Sequence, residues 1–256
     1  MHDDPGQPFV DDDETLDDLL RGRIRLLQPR RGARVSLDPL LLVGFVLADS
    51  NVRLGRVLDL GCGGGVIALA LAQADPRALV AGIEIQPVMA DFARRNAVVN
   101  GVAGRFNVIE GDLVQPRVLP VDSGSIDLVV SNPPYQPQAK GRAAPEAQRA
   151  LSRHEVACTL TDILDAARYF LRSRGRLALI LPADRLPELM AALETRRLRP
   201  RRLRAVHSVA NEPARRVLVE AGKDYRGGLT LHPALVVHEA DRRTYTDEVA
   251  ALLGGP

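Results

Sequence analysis

Between residues 56 and 181, strand-length apolar runs alternate with helix-length segments, and this rhythm limits the fold more than any other feature of the chain. Strands are read at 56–60 (RVLDL), 79–84, 105–109, 126–131 (IDLVVS) and 177–181. Helices are read at 66–74, 87–100, 155–171 and 183–196, the third stopped by Gly175. Such alternation demands a parallel sheet covered by helices on both faces, because each parallel pair needs a crossover. Three more β-like segments, at 203–208, 215–220 and 234–238, follow once the rhythm stops. They predict antiparallel strands at an edge of the sheet. The fold class is α/β: a doubly wound, mainly parallel, Rossmann-like sheet.

Ahead of it, residues 23–36 read as two short strands around a Pro/Gly turn. Asp38 then reads as a helix N-cap with Pro39 in the first helical position, opening a buried helix. Residues 1–18 hold eight acids and no Lys or Arg, so a disordered tail is expected there. The remainder, 19–256, reads as one domain: a hairpin-helix over 19–50 and a core over 51–256.

Composition excludes several classes. Hydrophobic residues at 46% and charged residues at 26% are ordinary globular values, which rules out wholesale disorder. No apolar run reaches the 18 residues of a membrane span, and the acidic start does not read as a secretory signal. Cys62 and Cys158 are the only cysteines, without CxxC or a His/Cys cluster. No metal site is expected, and a reducing cytoplasm is. Without its acidic start, the chain keeps 34 bases against 24 acids, formally +10, which suits a polyanionic partner. A GC-rich genome would also favour Arg, and only Lys140 and Lys223 among the bases are lysine.

The first strand runs into Asp59-Leu60-Gly61-Cys62-Gly63-Gly64-Gly65. Glycines at a strand-to-helix turn let backbone N–H groups approach a ligand. Val66 breaks the dinucleotide pattern G-x-G-x-x-G, and no Lys-Ser/Thr follows to make a P-loop. Asp59 can accept a hydrogen bond from a cationic amine. Glu84 ends the second strand, where an acid takes ribose hydroxyls in this fold, and Asp112 ends the third, where an acid can take an adenine amino group. Each alone reads as a cap or a solvated loop residue. Three acids at successive strand C-termini point to a ligand site.

The fourth strand runs into Asn132-Pro133-Pro134-Tyr135. The plain alternative is a rigid turn ending a strand. Chemically the tetrapeptide suits an exocyclic or amide nitrogen, whose lone pair is delocalised. The Asn132 amide oxygen and the Pro133 carbonyl can accept its two hydrogens and aim that lone pair. Tyr135 offers a flat face to a planar group. Positioning and electrostatic preorganisation would carry the reaction without a strong base. A polar loop, 136–152, follows and reads as a cover or a disordered segment.

In this order DLGCGGG, Glu84, Asp112 and NPPY resemble class I S-adenosylmethionine-dependent N-methyltransferases, over about residues 56–182. The flanks narrow the resemblance. Leu27-Gln28-Pro29, the stretch from Gly32 to Leu42, Arg153-His154-Glu155 and the stretch from Glu212 to Glu220 look like the tRNA adenine-N6 methyltransferases that act on the anticodon-loop adenine of valine tRNA. That family is often aromatic after the hairpin glycine, where Ala33 stands here. The resemblance implies a seven-stranded sheet with an antiparallel edge strand. It implies S-adenosylmethionine held by Asp59, Gly61, Gly63, Glu84, Asp112 and Asn132. It implies catalysis by Asn132, Pro133 and Tyr135, with Pro134 and Tyr135 against the substrate. It implies a tRNA partner and a cytoplasmic enzyme. Among the basic residues, the hairpin arginines and the run 196–204 are the candidates for RNA phosphate, Arg34 and Arg202 foremost; a solvated basic face is the plainer reading. A protein glutamine-N5 methyltransferase, a catalytically silent cofactor- or RNA-binding subunit, and a nicotinamide enzyme are the alternatives. Val66 and NPPY speak against the last.

Overall fold

The computed structural model describes residues 10–31, 34–49, 53–133 and 158–254. Pro134, Tyr135, Arg153, His154 and the loop 136–152 lie outside the described residues, as do residues 1–9 of the acidic start.

β1 (Glu14–Leu19) and β2 (Ile24–Pro29) form an antiparallel hairpin with Leu19 opposite Ile24. Two expectations are corrected here. Residues 14–18 are strand, not tail, and the partner of the second strand precedes it instead of following it. The acids explain why. Glu14 is buried and accepts two bonds of 2.6 Å from Arg95, while Asp17 takes Gln28 and Arg34 at 2.6 Å each. Charges that a tail would leave in water are here given partners, so the strand can form.

α1 (Asp38–Leu47) follows, capped at Leu37 without a side-chain bond. Asp38 is therefore not the cap. It lies inside the first turn, and its carboxylate accepts from Arg216 Nε at 2.8 Å.

The core alternates as expected through β3 (Arg56–Leu60), α2 (Val66–Ala74), β4 (Leu79–Glu84), α3 (Pro87–Val99), β5 (Phe106–Glu110) and β6 (Ile126–Ser131). α4 (Leu160–Phe170) passes directly into β7 (Leu171–Pro182). Gly175 therefore sits inside β7 and does not stop the helix. A Cβ on it would lie 2.9 Å from the Arg172 carbonyl and 3.0 Å from that of Ile126, a close strand approach that only glycine fits. α5 (Leu186–Thr195), β8 (Leu198–His207) and β9 (Arg216–Lys223) follow. β10 (Thr230–Leu231), β11 (Leu235–Val236) and α6 (Asp247–Leu252) close the chain. α6 was not expected from the sequence; its Leu252 packs over Gly44 of α1.

The long strands lie in the order β5-β4-β3-β6-β7-β9-β8, and the two-residue β10 and β11 both add to β8 to make nine. β9 is antiparallel to β7 and β8. The antiparallel strand is thus interior, flanked by β7 and β8, with the short β10 and β11 beyond β8 at the edge. One face of the sheet buries α1, α2 and the hairpin, and the other buries α4 and α5. Among the described residues no helix is long and apolar enough to cross a membrane.

Candidate active site

The glycine turn leaves β3 at the carboxyl end of the sheet. Gly61, Gly63 and Gly65 take φ of +71°, +54° and +87°, a region that side chains disfavour. The Gly61 and Cys62 amides donate to the Ile83 carbonyl of the neighbouring strand. At Gly65 a Cβ would meet the Phe106 ring at 2.8 Å, whereas at Gly61 it would meet nothing within 4 Å. Among the described residues the turn is packed from beneath at Gly65 and has open space at Gly61.

Glu84 ends β4 beside it. Its carboxylate accepts the Gly63 amide at 2.8 Å and the Gln86 amide at 2.9 Å. This holds the turn against the second strand. Asp112, just past β5, is half-buried and accepts the Val114 amide through Oδ1 at 2.9 Å.

Asp59 lies beneath the turn with no exposure, and among the described residues neither carboxylate oxygen has a hydrogen-bond partner. Burial pushes its pKa up to about 8; the Ala68 amide opposes the rise and the Glu84 charge adds to it. A buried acid without a partner is costly unless something cationic completes it.

β6 runs beside β3, with Asp59 opposite Val130. Ser131 is fully buried and its Oγ donates to the Leu60 carbonyl at 2.7 Å. The strand end carrying Asn132 is thereby tied to the strand end carrying the glycines. Asn132 is half-buried and Pro133 buried. So Asp59, Gly61, Gly63, Glu84, Asp112, Asn132 and Pro133 converge at one end of the sheet, where ligands sit in open α/β folds. Cys158 stands near this end too; burial, Asp162 and Asp112 push its thiol up to about 12, which keeps it neutral. Among the described residues no cluster of His, Cys, Asp and Glu could hold a metal.

The two arginines chosen for RNA fare differently. Arg202 turns inward. Its guanidinium donates to Glu220 at 2.7 Å and lies 4.5 Å from the Phe45 ring centre. Glu220 is fully buried and also pairs with Arg176 and Arg201. Arg202 therefore serves the interior, because a buried carboxylate must be matched by cations that are themselves withdrawn from solvent. Arg34 is more exposed, but donates to Asp17, Thr15 and the Pro29 carbonyl. It braces the hairpin.

Two residues near the site were given no role in the sequence reading, Arg215 although it lies in the Glu212–Glu220 stretch. Asn96 of α3 is fully buried and bonds both the hairpin and the Gly64 carbonyl. An Asn inside a helix is unfavourable unless its amide is used, and that was the available signal. Arg215 is exposed at the carboxyl end of the sheet, its carbonyl accepting the Ala183 amide at 3.1 Å. Among the described residues its guanidinium has no ion-pair partner.

Comparison with known proteins bears on this geometry. The methyltransferase small domain family matches residues 40–188. A tRNA1(Val) (adenine(37)-N6)-methyltransferase of Porphyromonas gingivalis is 37% identical over 189 residues, 73% of each chain. Its counterpart of Aeromonas hydrophila is 33% identical over 226 residues, covering 87% of this chain and 89% of its own. Among solved structures, a predicted O-methyltransferase of Agrobacterium tumefaciens aligns with TM-score 0.68 and 27% identity over 85% of this chain and 96% of its own. A ribosomal protein L11 methylase of Lactobacillus delbrueckii, at 19% identity and TM-score 0.51 over 72% of this chain and 77% of its own, shares the fold.

Proposed function

This chain belongs to the methyltransferase small-domain family and, within it, to the tRNA1(Val) (adenine(37)-N6)-methyltransferases, and from that premise we propose that it methylates the N6 amino group of an anticodon-loop adenine in tRNA, with S-adenosylmethionine as donor. The observation that carries the cofactor reading is Asp59: a fully buried carboxylate with no partner among the described residues, under a glycine turn that those residues leave open at Gly61. It suits a cationic amine. Glu84 suits two ribose hydroxyls, since each of its oxygens keeps acceptor capacity beyond the one amide bond it accepts. Asp112 suits an adenine amino group.

S-adenosylmethionine supplies an electrophilic methyl on a sulfonium, so the acceptor nitrogen needs an aimed lone pair more than a strong base. Asn132 Oδ1 and the Pro133 carbonyl accept the two N6 hydrogens. Pro133 has no N–H to compete and a fixed φ, so its carbonyl is preorganised. Pro134 and Tyr135 are the residues assigned to the substrate base, the Tyr135 ring offering a flat surface for stacking. The two acceptors also favour nitrogen over the oxygen implied by the name of the Agrobacterium neighbour, because a hydroxyl has one hydrogen to give and a primary amine two. A loop adenine is cheaper to present than a paired one. The enzyme works with its tRNA in the cytoplasm.

The test is mass spectrometry of nucleosides from valine tRNA incubated with enzyme and cofactor. N6-methyladenosine is expected. Methyl on a release-factor glutamine but not on RNA would replace this reading with the glutamine one, and cofactor binding without turnover on either would favour a silent subunit.

A further inference from the structure

At the opposite end of the sheet from the glycine turn, four arginines from three segments meet. Arg174 comes from the start of β7, Arg197 from the passage between α5 and β8, Arg199 from the first residues of β8, and Arg226 from the turn after β9. They line two adjoining hollows of about 990 and 800 Å³ that share the segment 224–227. All four are exposed, and among the described residues none of the four has an ion-pair partner. The acids in the hollows are Asp224, which accepts the Ser173 hydroxyl at 3.0 Å, and Glu194.

The basic run that stood out in the sequence is thus sorted by the fold. Arg196, Arg201, Arg202 and Arg204 are spent on Asp165, Glu220 and Glu248. Arg197 and Arg199 are left outward and are joined by cations from elsewhere in the chain. A chance run on a solvated face does not recruit distant segments. The hollows have a built shape. The Tyr225 ring carries the Arg201 guanidinium 4.9 Å from its centre, and its hydroxyl donates to the Gly228 carbonyl at 3.2 Å. Arg174 and Arg197 hold φ of +63° and +54°, where glycine would cost less.

We propose that this groove is a second RNA-backbone site, holding phosphates of the tRNA remote from the methylated base. The inference rests on the tRNA reading above. From Arg174 to Pro182, β7 advances by eight residue steps, or roughly 26 Å at ~3.3 Å each. An RNA helix that delivers a loop base to Asn132 extends well beyond that, so one molecule can meet both ends. Guanidinium forks unpaired with protein acids are suited to phosphate oxygens.

The test compares Arg197→Gln/Arg199→Gln/Arg226→Gln with Arg77→Gln/Arg94→Gln/Arg242→Gln, which removes equal charge elsewhere. Substrates are full valine tRNA and its isolated anticodon stem-loop. In the groove variant the KM for full tRNA should rise about tenfold or more and the salt slope of binding should drop by ~2–3, near one per lost contact. KM for the stem-loop, kcat and cofactor affinity should match wild type. A groove variant that behaves like the control variant on full tRNA, while wild type methylates it, overturns the groove and leaves the activity standing. Wild-type enzyme that modifies neither RNA overturns the activity and the groove together.

Discussion

Asn96 and Gly64 are joined by a hydrogen bond of 2.9 Å, from the side-chain amide of a helix to a carbonyl of the glycine turn. The same Nδ2 donates to the Leu27 carbonyl at 2.9 Å, and Oδ1 accepts the Leu27 amide at 2.6 Å. One side chain thus binds the N-terminal hairpin and the proposed cofactor turn to α3. Glu84 holds the same turn from the strand side, through Gly63.

Replacing Asn96 by Ala strands the buried Leu27 amide and carbonyl, each costing about 1–3 kcal/mol, and the half-buried Gly64 carbonyl. Asn100 offers a control. It bonds the hairpin through the Arg25 amide and carbonyl but does not touch the turn. Both variants should melt earlier. Only Asn96→Ala should lose S-adenosylmethionine affinity, by about tenfold, in calorimetry. Equal affinities in the two variants would reduce Asn96 to a structural role.

Asp59 gives a pH signature. Its folded pKa is raised to about 8, so the folded chain keeps a proton that the unfolded chain releases above about pH 4. Stability of the free enzyme should therefore fall as pH rises through this window, by at most about 1.4 kcal/mol per unit. A cation seated on Asp59 favours its carboxylate, so cofactor binding should release a proton and tighten toward pH 8. Asp59→Asn should flatten both gradients. Melting temperatures and calorimetric affinities between about pH 5.5 and about pH 7.5 decide it; gradients that persist in the variant belong to other groups.

The parallel core was legible because buried strands and amphipathic helices each carry their own period. β3, β4 and β6 begin and end where the apolar runs do. The hairpin was misread because charge alone cannot show that Glu14 has Arg95 as a partner 81 positions away. β9 could not be placed from its own residues, since an interior strand and an edge strand look alike when both are apolar. At the site, Asp59, Gly63, Glu84 and Asn132 stood out because strand ends collect ligands. Arg202 misled for the opposite reason: an arginine run gives no sign of which members face Glu220.

Glu220 and its arginines carry the next prediction. Glu220→Ala leaves the Arg176 and Arg202 guanidiniums buried without a counter-charge, and burial already lowers the Arg176 pKa. The loss should be about 3–5 kcal/mol in denaturant unfolding. Arg202→Ala should also destabilise, through the lost stacking on Phe45, yet leave RNA affinity and its salt slope unchanged. A flatter salt slope in Arg202→Ala would return this residue to the RNA interface.

Asn132 separates chemistry from binding. It follows Ser131, whose hydroxyl is fixed to Leu60, so the strand end should keep its place when the Asn132 amide is removed. Asn132→Ala should then fold normally and hold S-adenosylmethionine with nearly wild-type affinity. Turnover should fall by ~10²–10³, the cost of losing one preorganised acceptor. Asn132→Asp is the sharper probe. It keeps an oxygen acceptor but brings a negative charge to a nitrogen that becomes cationic as the methyl arrives, so it should retain more activity than the Ala variant. Single-turnover rates on valine tRNA at saturating cofactor give the comparison. An Ala variant with wild-type rate removes Asn132 from catalysis, and one that loses cofactor affinity as steeply as rate makes it a wall of the cofactor pocket instead.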